Sequence, residues 1–299
     1  MKKAKKYGIL AFVLLLALSL VGCSAKTEAG DTIKIGGKNF TEQDILVHLM
    51  AGVVEAKTDL TVETKPWLGG TMVASKALDN GDIDIYAEYT GTALMVQLEQ
   101  EPMTDPVAVY DKVSKMYNEN KNITWLEPFG FNNTYTMSMR KADAEKLGIE
   151  TFSDLAKQST NLSLVVEGEF FEREDGYKGL QKMYGMNFKA TSAMDAGLMY
   201  GAVKDGKADV LDAFATDGRI VAFDLKVLKD DKQFFPPYYA APLVRNDTLA
   251  KHPELADALN SLAGKLDDAA MQQLNAKVDL DKQSSKDVAN EWLKAQGLI

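Results

Sequence analysis

One short segment of this chain occurs twice, and the repetition constrains the fold more than any other feature. The copies span residues 77–85 and 202–210, and each has a glycine at its fifth position. This pattern is typical of a helix that ends at a glycine and then turns into a buried strand. Two copies so far apart predict two lobes of related architecture.

An aromatic residue follows each glycine of the repeat by eight positions. Tyr89 follows Gly81, and Phe214 follows Gly206. If the lobes are equivalent, the two rings extend from equivalent loops and face each other across a cleft. A helix, a glycine and a strand in sequence are also a common local pattern, so a coincidental match stays open at this point.

Short apolar strands alternate with amphipathic helices along the chain, which predicts an α/β protein with two sheets of mixed direction. The predicted strands are 32–36, 60–64, 83–86, 162–166 and 208–213. The predicted helices are 41–57, with Thr41 as the cap, 71–78, 177–184 and 193–203, followed by 253–265, 267–277 and 286–296 near the C-terminus.

The N-terminus has the pattern of a lipoprotein signal peptide. Four lysines precede an apolar run over 9–21, which is too short to span a bilayer, and small residues lead to Cys23. This predicts a signal peptide over 1–22, a lipidated Cys23 and a flexible tether over 23–30. A plain secretory signal with a coincidental cysteine is the alternative.

The charge of the mature chain limits its partners. Removal of the four lysines before Cys23 takes the formal net charge from −9 to −13. Such an acidic domain matches neither nucleic acid nor an anionic lipid surface, so membrane anchoring is expected to come from the lipid. About 270 residues remain, which is enough for two lobes with separate cores.

Catalytic and metal-binding patterns are missing from the sequence. The chain has two histidines without ligand partners at useful spacing, no nucleophile elbow, and a single cysteine that lipidation would use. We therefore expect a protein that is not an enzyme and that needs no metal or cofactor.

Several aromatic residues stand where predicted strands give way to loops: Tyr89, Tyr135, Phe214 and the adjacent pair Tyr238 and Tyr239. Ring faces attract cations, and a quaternary ammonium group has no N–H with which to form hydrogen bonds. A cage of rings is therefore its natural receptor. For any one of these rings, ordinary core or hinge packing is the alternative.

Four segments in this order, 36–43, 82–92, 216–219 and 236–238, resemble the substrate-binding proteins of osmoprotectant ABC importers, the glycine betaine/carnitine/choline family. The resemblance extends over residues 32–298. It implies a type II periplasmic-binding-protein fold, with two α/β lobes and a ligand cleft between them. The implied lobes are 31–137 plus 240–299 and 138–239, joined by crossing strands near 136–140 and 240–244.

By the same resemblance, the ring cage would consist of Tyr89, Tyr135, Phe214 and Tyr238. The family usually has tyrosine where this chain has Phe214, which keeps the ring face and loses a hydroxyl. The choice between Tyr238 and its neighbour Tyr239 stays open.

The polar end of the ligand would meet Lys38, Thr92 and Arg173. Two cations beside a neutral threonine favour a carboxylate, and hence zwitterions such as betaines and carnitine, without excluding choline. Alternatively, Lys38 and Arg173 form surface ion pairs with neighbours such as Glu172 or Glu174.

The implied function is that of an extracytoplasmic, lipid-anchored receptor, expected to be a monomer, that serves an ABC permease and its ATPase. A binding protein of the same fold for an amino acid or a polyamine is the alternative. A lipid-anchored extracellular enzyme would need a nucleophile or metal site, which the sequence does not offer.

Overall fold

The structure is a computed structural model that describes residues 31–299. Within these residues the chain forms two mixed β-sheets. The predicted signal peptide, Cys23 and the tether lie outside the described residues. Between residues 31 and 299, no helix has both the length and the apolar character needed to cross a membrane.

The strands, numbered in chain order, are β1 Thr32–Gly36, β2 Thr61–Lys65, β3 Ile85–Tyr89, β4 Ile123–Trp125, β5 Tyr135–Arg140, β6 Ser163–Val166, β7 Ala190–Ala193, β8 Val210–Phe214, β9 Leu225–Val227 and β10 Ala240–Arg245. The helices are α1 Thr41–Lys57, α2 Thr71–Asn80, α3 Thr90–Thr92, α4 Pro106–Lys121, α5 Lys141–Leu147, α6 Phe152–Gln158, α7 Gly168–Glu172, α8 Tyr177–Tyr184, α9 Ala196–Lys204, α10 Arg219–Ala222, α11 Asn246–Lys251, α12 Glu254–Asn260, α13 Asp268–Asp279 and α14 Ser285–Ala295. A π-helical turn, Ala93–Gln97, continues α3, and a 3₁₀ turn, Ser159–Asn161, follows α6.

The two sheets have the same architecture. Their strand orders are β2-β1-β3-β10-β4 and β7-β6-β8-β5-β9. In each sheet the first three strands are parallel, and the remaining two strands continue as antiparallel neighbours. We call the two sheets with their covering helices the first and the second lobe. This arrangement confirms the fold class that the repeat predicts.

The chain passes between the lobes just before β5 and again just before β10, and each of these strands pairs with one of the strands that follow the repeat. β5 pairs with β8 in the second sheet, and β10 pairs with β3 in the first. Immediately before β5 and β10, an antiparallel bridge joins Asn132 to Tyr239, and Asn133 N–H donates to the carbonyl of Tyr238 over 3.1 Å. The two connecting segments therefore lie side by side. The predicted lobe boundaries at 137/138 and 239/240 stay predictions.

Most predicted elements occur, with ends shifted by a few residues. Thr41 is not the cap of α1: Phe40 occupies that position without a side-chain cap, while the Thr41 hydroxyl donates to Asp279 over 2.6 Å. The sequence-based prediction also omitted α4, because only Val109, Val113 and Tyr117 of its sixteen residues are buried, which leaves a narrow apolar stripe.

The glycines of the repeat have equivalent conformations. Gly81 ends α2 at a φ of 79°, and Gly206 follows α9 at a φ of 73°. Both values lie in the left-handed region, where residues with a Cβ are strained. The same turn therefore feeds β3 in the first lobe and β8 in the second.

This conformation predicts opposite effects for two alanine substitutions near the same helix. Gly206→Ala should destabilise the fold by about 1 kcal/mol, because the backbone at this position is left-handed. A Cβ there would meet no neighbouring atom, so backbone strain is the cause of the loss. Gly201→Ala, inside α9 and equally unobstructed, should stabilise the fold by about 0.5–1 kcal/mol. Urea unfolding of both variants measures the difference, and equal shifts would contradict the assignment.

Candidate functional site

A cavity of about 480 Å³ lies between the two lobes, at the carboxyl ends of their parallel strands. This is the edge of an open α/β sheet at which ligands ordinarily bind. All seven residues that the sequence predicts for ligand binding line this cavity: Lys38, Tyr89, Thr92, Tyr135, Arg173, Phe214 and Tyr238. Their roles in binding stay predictions, although their proximity is a fact of the structure.

Tyr89 and Phe214 end β3 and β8, the strands that follow the two glycines of the repeat. The two rings reach the same cavity from opposite lobes. Their equal spacing from the repeated glycines therefore corresponds to equivalent positions in the fold and is not a coincidence. Of the adjacent tyrosines, Tyr238 lines the cavity and Tyr239 does not.

The rings around the cavity form one continuous cluster. Tyr135 contacts Phe214 with centroids 5.1 Å apart and meets Tyr238 edge-on at 5.6 Å. Phe40 stacks on Phe214 at 5.8 Å and on Tyr89 at 6.3 Å. Phe40 therefore connects the ring of Tyr89 in the first lobe to the ring of Phe214 in the second.

Sequence reasoning missed several residues of the cavity wall. They include Phe40, Trp67, Asn133, Glu167, Glu169 and Arg219. Phe40 follows β1, Trp67 follows β2 and Glu167 follows β6. A systematic search of the residues after each parallel strand would have found these three.

Lys38 is already paired with a carboxylate. Its Nζ lies 2.6 Å from Oε1 of Glu88 and donates to the Thr71 hydroxyl over 3.1 Å. Lys38 is 4% exposed and Glu88 is fully buried, so the pair is shielded from water. This pair is neither on the surface nor with the neighbours that the sequence suggested.

Glu88 is the centre of a buried network in the first lobe. Its Oε1 also accepts from the Tyr89 backbone N–H over 2.7 Å. Its Oε2 accepts from the Tyr86 hydroxyl over 3.0 Å and from Gln97 Nε2 over 2.6 Å. The carboxylate of β3 therefore holds both Lys38 and the ring-bearing residue that follows it.

Arg173 has an equivalent partner in the second lobe. Its Nε and Nη2 donate to the two carboxylate oxygens of Asp175 over 2.7 and 2.6 Å, and Nη2 also donates to the Thr92 hydroxyl over 3.2 Å. The Tyr238 hydroxyl donates to the same Asp175 over 2.6 Å. Glu172 and Glu174 pair instead with lysines of α8, Lys178 and Lys182.

Glu42 joins the lobes behind the ring cluster. Its carboxylate accepts from Tyr89 and Asn133 over 2.8 Å each, from Thr216 over 2.5 Å and from Asn275 over 3.1 Å. Burial raises the pKa of Glu42, and the four hydrogen bonds offset part of that rise. Burial likewise raises the pKa of Tyr89 well above its usual value, so its hydroxyl remains a donor.

In the cavity wall the cationic side chains have carboxylate partners, whereas two carboxylates have no cationic partner within residues 31–299. The cations Lys38, Arg173 and Arg219 are each paired with a buried or nearly buried carboxylate. Glu167 and Glu169 form no ion pair among residues 31–299 and accept hydrogen bonds only from backbone N–H groups. The charges of Lys38 and Arg173, which the sequence predicts for a ligand carboxylate, are therefore less available to it than expected.

The Lys38–Glu88 pair predicts a large difference between two lysine substitutions. Lys38→Met should destabilise the fold by about 3–5 kcal/mol, because it leaves Glu88 buried without a counter-charge. Lys182→Met is the matched control: it breaks an ion pair with Glu174 that is mostly exposed, at a cost of under about 1 kcal/mol. Urea unfolding distinguishes them, and a Lys38→Met variant as stable as the control would refute a buried charge on Glu88.

Comparison with known proteins agrees with this architecture. The carnitine transport binding protein OpuCC of Listeria monocytogenes is 41% identical over 297 residues, which cover 97% of this chain and 96% of that protein. The ergothioneine transport permease/ergothioneine binding protein EgtU of Helicobacter pylori is 40% identical over 302 residues, which cover 99% of this chain and 54% of that longer protein.

A crystal structure of a glycine betaine/carnitine/choline ABC transporter superposes with a TM-score of 0.75 at 36% identity, covering 90% of this chain and 99% of the other. The two-lobed periplasmic-binding-protein fold is thereby confirmed. The family model for the substrate binding domain of the ABC-type glycine betaine transport system matches residues 31–295. This chain belongs to that family of substrate-binding domains.

Proposed function

We propose that this chain is an extracytoplasmic receptor that binds quaternary ammonium osmoprotectants between its lobes and delivers them to an ABC importer. Glycine betaine, carnitine and choline are the expected ligands. The observation that supports this most strongly is the cavity in which aromatic rings of both lobes meet. The receptor binds and releases its ligand without any chemical step.

The proposed cage consists of Tyr89, Tyr135, Phe214 and Tyr238, with Phe40 as a fifth ring. A trimethylammonium group offers no N–H donor, so ring faces are the groups that attract it, at about 0.5–2 kcal/mol each. The rings are largely buried, and exclusion of water strengthens this attraction. The hydroxyl that Phe214 lacks is not needed for a contact through the ring face.

For the polar end of the ligand we propose Lys38, Thr92 and Arg173. Nη1 of Arg173 makes no hydrogen bond to any residue in 31–299, whereas Nε and Nη2 hold Asp175. Nη1 is therefore a donor that a ligand carboxylate or hydroxyl could use. Lys38 would contribute mainly as a hydrogen-bond donor, since Glu88 offsets its charge.

A ligand with N–H donors, such as an amino acid or a polyamine, is the second candidate. Glu167 and Glu169 favour it, because both carboxylates line the cavity and have no cationic partner in the described chain. Burial and the proximity of Glu169 raise the pKa of Glu167, so part of this negative charge is suppressed.

We also propose that the lobes comprise 31–137 plus 240–299 and 138–239, although the boundary at 137/138 falls within β5 of the second sheet. The segments near 136–140 and 240–244, expected to cross between the lobes, lie instead inside β5 and β10. We therefore propose that the paired segments just before them, near Asn132 and Tyr239, act as the hinge. Two short neighbouring connections permit rotation of one lobe against the other. A ligand that contacts both lobes shifts the equilibrium toward the closed form by its greater affinity for that form.

A membrane permease and its ATPase are the proposed partners, and we propose that the receptor acts as a monomer. Cys23, which lies outside the described residues, is the proposed site of the lipid anchor on the extracytoplasmic face. A tether of a few small polar residues would keep the acidic domain close to the permease without an electrostatic contact to lipid.

Calorimetric titration of the mature chain with glycine betaine, carnitine, choline and proline tests the ligand class. Tyr89→Ala should weaken binding of every quaternary ligand about 30-fold or more, because it removes a ring worth about 2 kcal/mol in a desolvated cage. Tyr110→Ala is the control, since Tyr110 packs edge-on against Trp125 outside the cavity. If no quaternary compound bound the unaltered protein, the proposal would be wrong.

The lipid anchor has its own test. Cys23→Ala should abolish incorporation of labelled palmitate and release the protein from the membrane fraction of the producing cell, while the released domain keeps its ligand affinity. Protein that stayed with the membranes would indicate an anchor other than Cys23.

A further inference from the structure

Helix α2 begins at the rim of the cavity without a cap from its own lobe. Its N-cap residue is Gly70, which has no side chain, and its first turn contains no acidic residue. The hydroxyl of Thr71, the first helical residue, accepts from Lys38. The first N–H groups of a helix have no partner within the helix and need one from elsewhere.

The second lobe supplies that partner. Oε1 of Glu169 accepts from the Thr71 backbone N–H over 2.7 Å. Glu169 belongs to α7, whose own N-terminus is capped by Glu167 through hydrogen bonds of 3.0 and 3.3 Å. The Glu169 carboxylate is therefore not used by its own helix.

Gly70 makes this approach sterically possible. A Cβ at position 70 would lie 1.8 Å from Oε1 of Glu169 and 2.7 Å from its carboxylate carbon. Any other residue would displace the carboxylate. The space left by the missing side chain at Gly70 is thus the space that the Glu169 carboxylate occupies.

We infer that Glu169 is a closing residue: its carboxylate caps α2 only when the two lobes are together. The inference rests on the proposed function in that it assumes a receptor that opens and closes. Because one partner belongs to each lobe, rotation about the hinge separates Oε1 from Thr71 N–H. A contact made in the closed form alone favours that form and slows ligand release.

Several other contacts between the lobes lie elsewhere in the structure, among them Gln272 to the Ala215 carbonyl and Arg219 to Asp279. Glu42 and Thr216 meet behind the ring cluster, and Arg173 donates to Thr92 at the proposed polar end of the ligand site. Glu169 instead lies against Gly70, which follows shortly after Trp67, a lining residue that is 53% exposed. It therefore acts at the mouth of the cavity and through a backbone group, not through the cage.

Three substitutions separate the parts of this contact. Glu169→Ala removes the cap and should raise Kd about 2- to 30-fold, the range for loss of a helix N-cap, through a faster off-rate. Glu169→Gln keeps an acceptor oxygen without the charge and should have a smaller effect. Glu172→Gln, on the same helix and paired only with Lys178, is the control and should leave Kd unchanged.

Gly70→Ala provides the reciprocal test from the first lobe. Its Cβ should expel the carboxylate and reproduce the effect of Glu169→Ala. The double variant should then be no weaker than either single variant, because both remove one interaction. Additive effects would show that the two residues do not act on each other, and would overturn the inference.

Energy transfer between dyes on the two lobes measures closure independently of affinity. Cys23→Ser removes the chain's only cysteine, after which Lys115→Cys and Lys207→Cys place dyes at exposed positions of the first and second lobe. Glu169→Ala should lower the closed fraction in ligand-free protein and at matched sub-saturating ligand. An unchanged closed fraction in both conditions would overturn the inference.

The ligand series distinguishes a closing residue from a direct ligand contact. Loss of the cap should weaken glycine betaine and choline by the same factor, whereas a ligand contact would change their ratio and overturn the inference. Failure of the proposed function would differ, since the unaltered protein would then bind neither compound and the closed fraction would still report on Glu169.

Discussion

The buried pair of Lys38 and Glu88 is the interaction on which the first lobe's side of the cavity depends. An ionised glutamate in the interior needs a counter-charge and hydrogen-bond donors, and this one receives Lys38, the Tyr89 N–H, Tyr86 and Gln97. Gln97 ends the π-helical turn after α3, an irregularity that brings its amide to the carboxylate. The ring of Tyr89 is positioned as a consequence of this network.

In the second lobe a different buried carboxylate, that of Asp175, is paired with a cation and positions a ring of the cavity. Asp175 accepts from Arg173 and Tyr238, so one carboxylate orients both a predicted polar contact and a predicted cage ring. Arg173 also reaches Thr92 of the first lobe, and Glu42 of the first lobe reaches Thr216 of the second. The lobes thus have parallel construction and are joined both by polar contacts and by the stacking of Phe40 on Phe214.

Repetition made much of the fold predictable. The two glycine turns and the aromatics eight residues later predict equivalent strands, and β3 and β8 occupy equivalent central places in the two sheets. The resemblance to a known family named seven residues that the structure brings to one cavity. The repeat does not point to Phe40, Trp67 or Glu167, because they follow β1, β2 and β6, which lie outside its two copies. The rule that ligands meet the carboxyl ends of parallel strands covers these residues too.

The sequence by itself determined the α/β class of the protein with its two related lobes, because local patterns of helix, glycine and strand depend only on neighbouring residues. The acidic net charge follows from composition alone. Arg173 pairs with Asp175, two residues away, but the partners of Lys38 and Glu169 were decided by tertiary structure alone. Glu88 lies fifty residues from Lys38, and Glu169 lies ninety-eight from Thr71. No local pattern encodes such pairings, because they arise when separate strands and lobes are brought together, and they set how much charge and how much freedom the cavity retains.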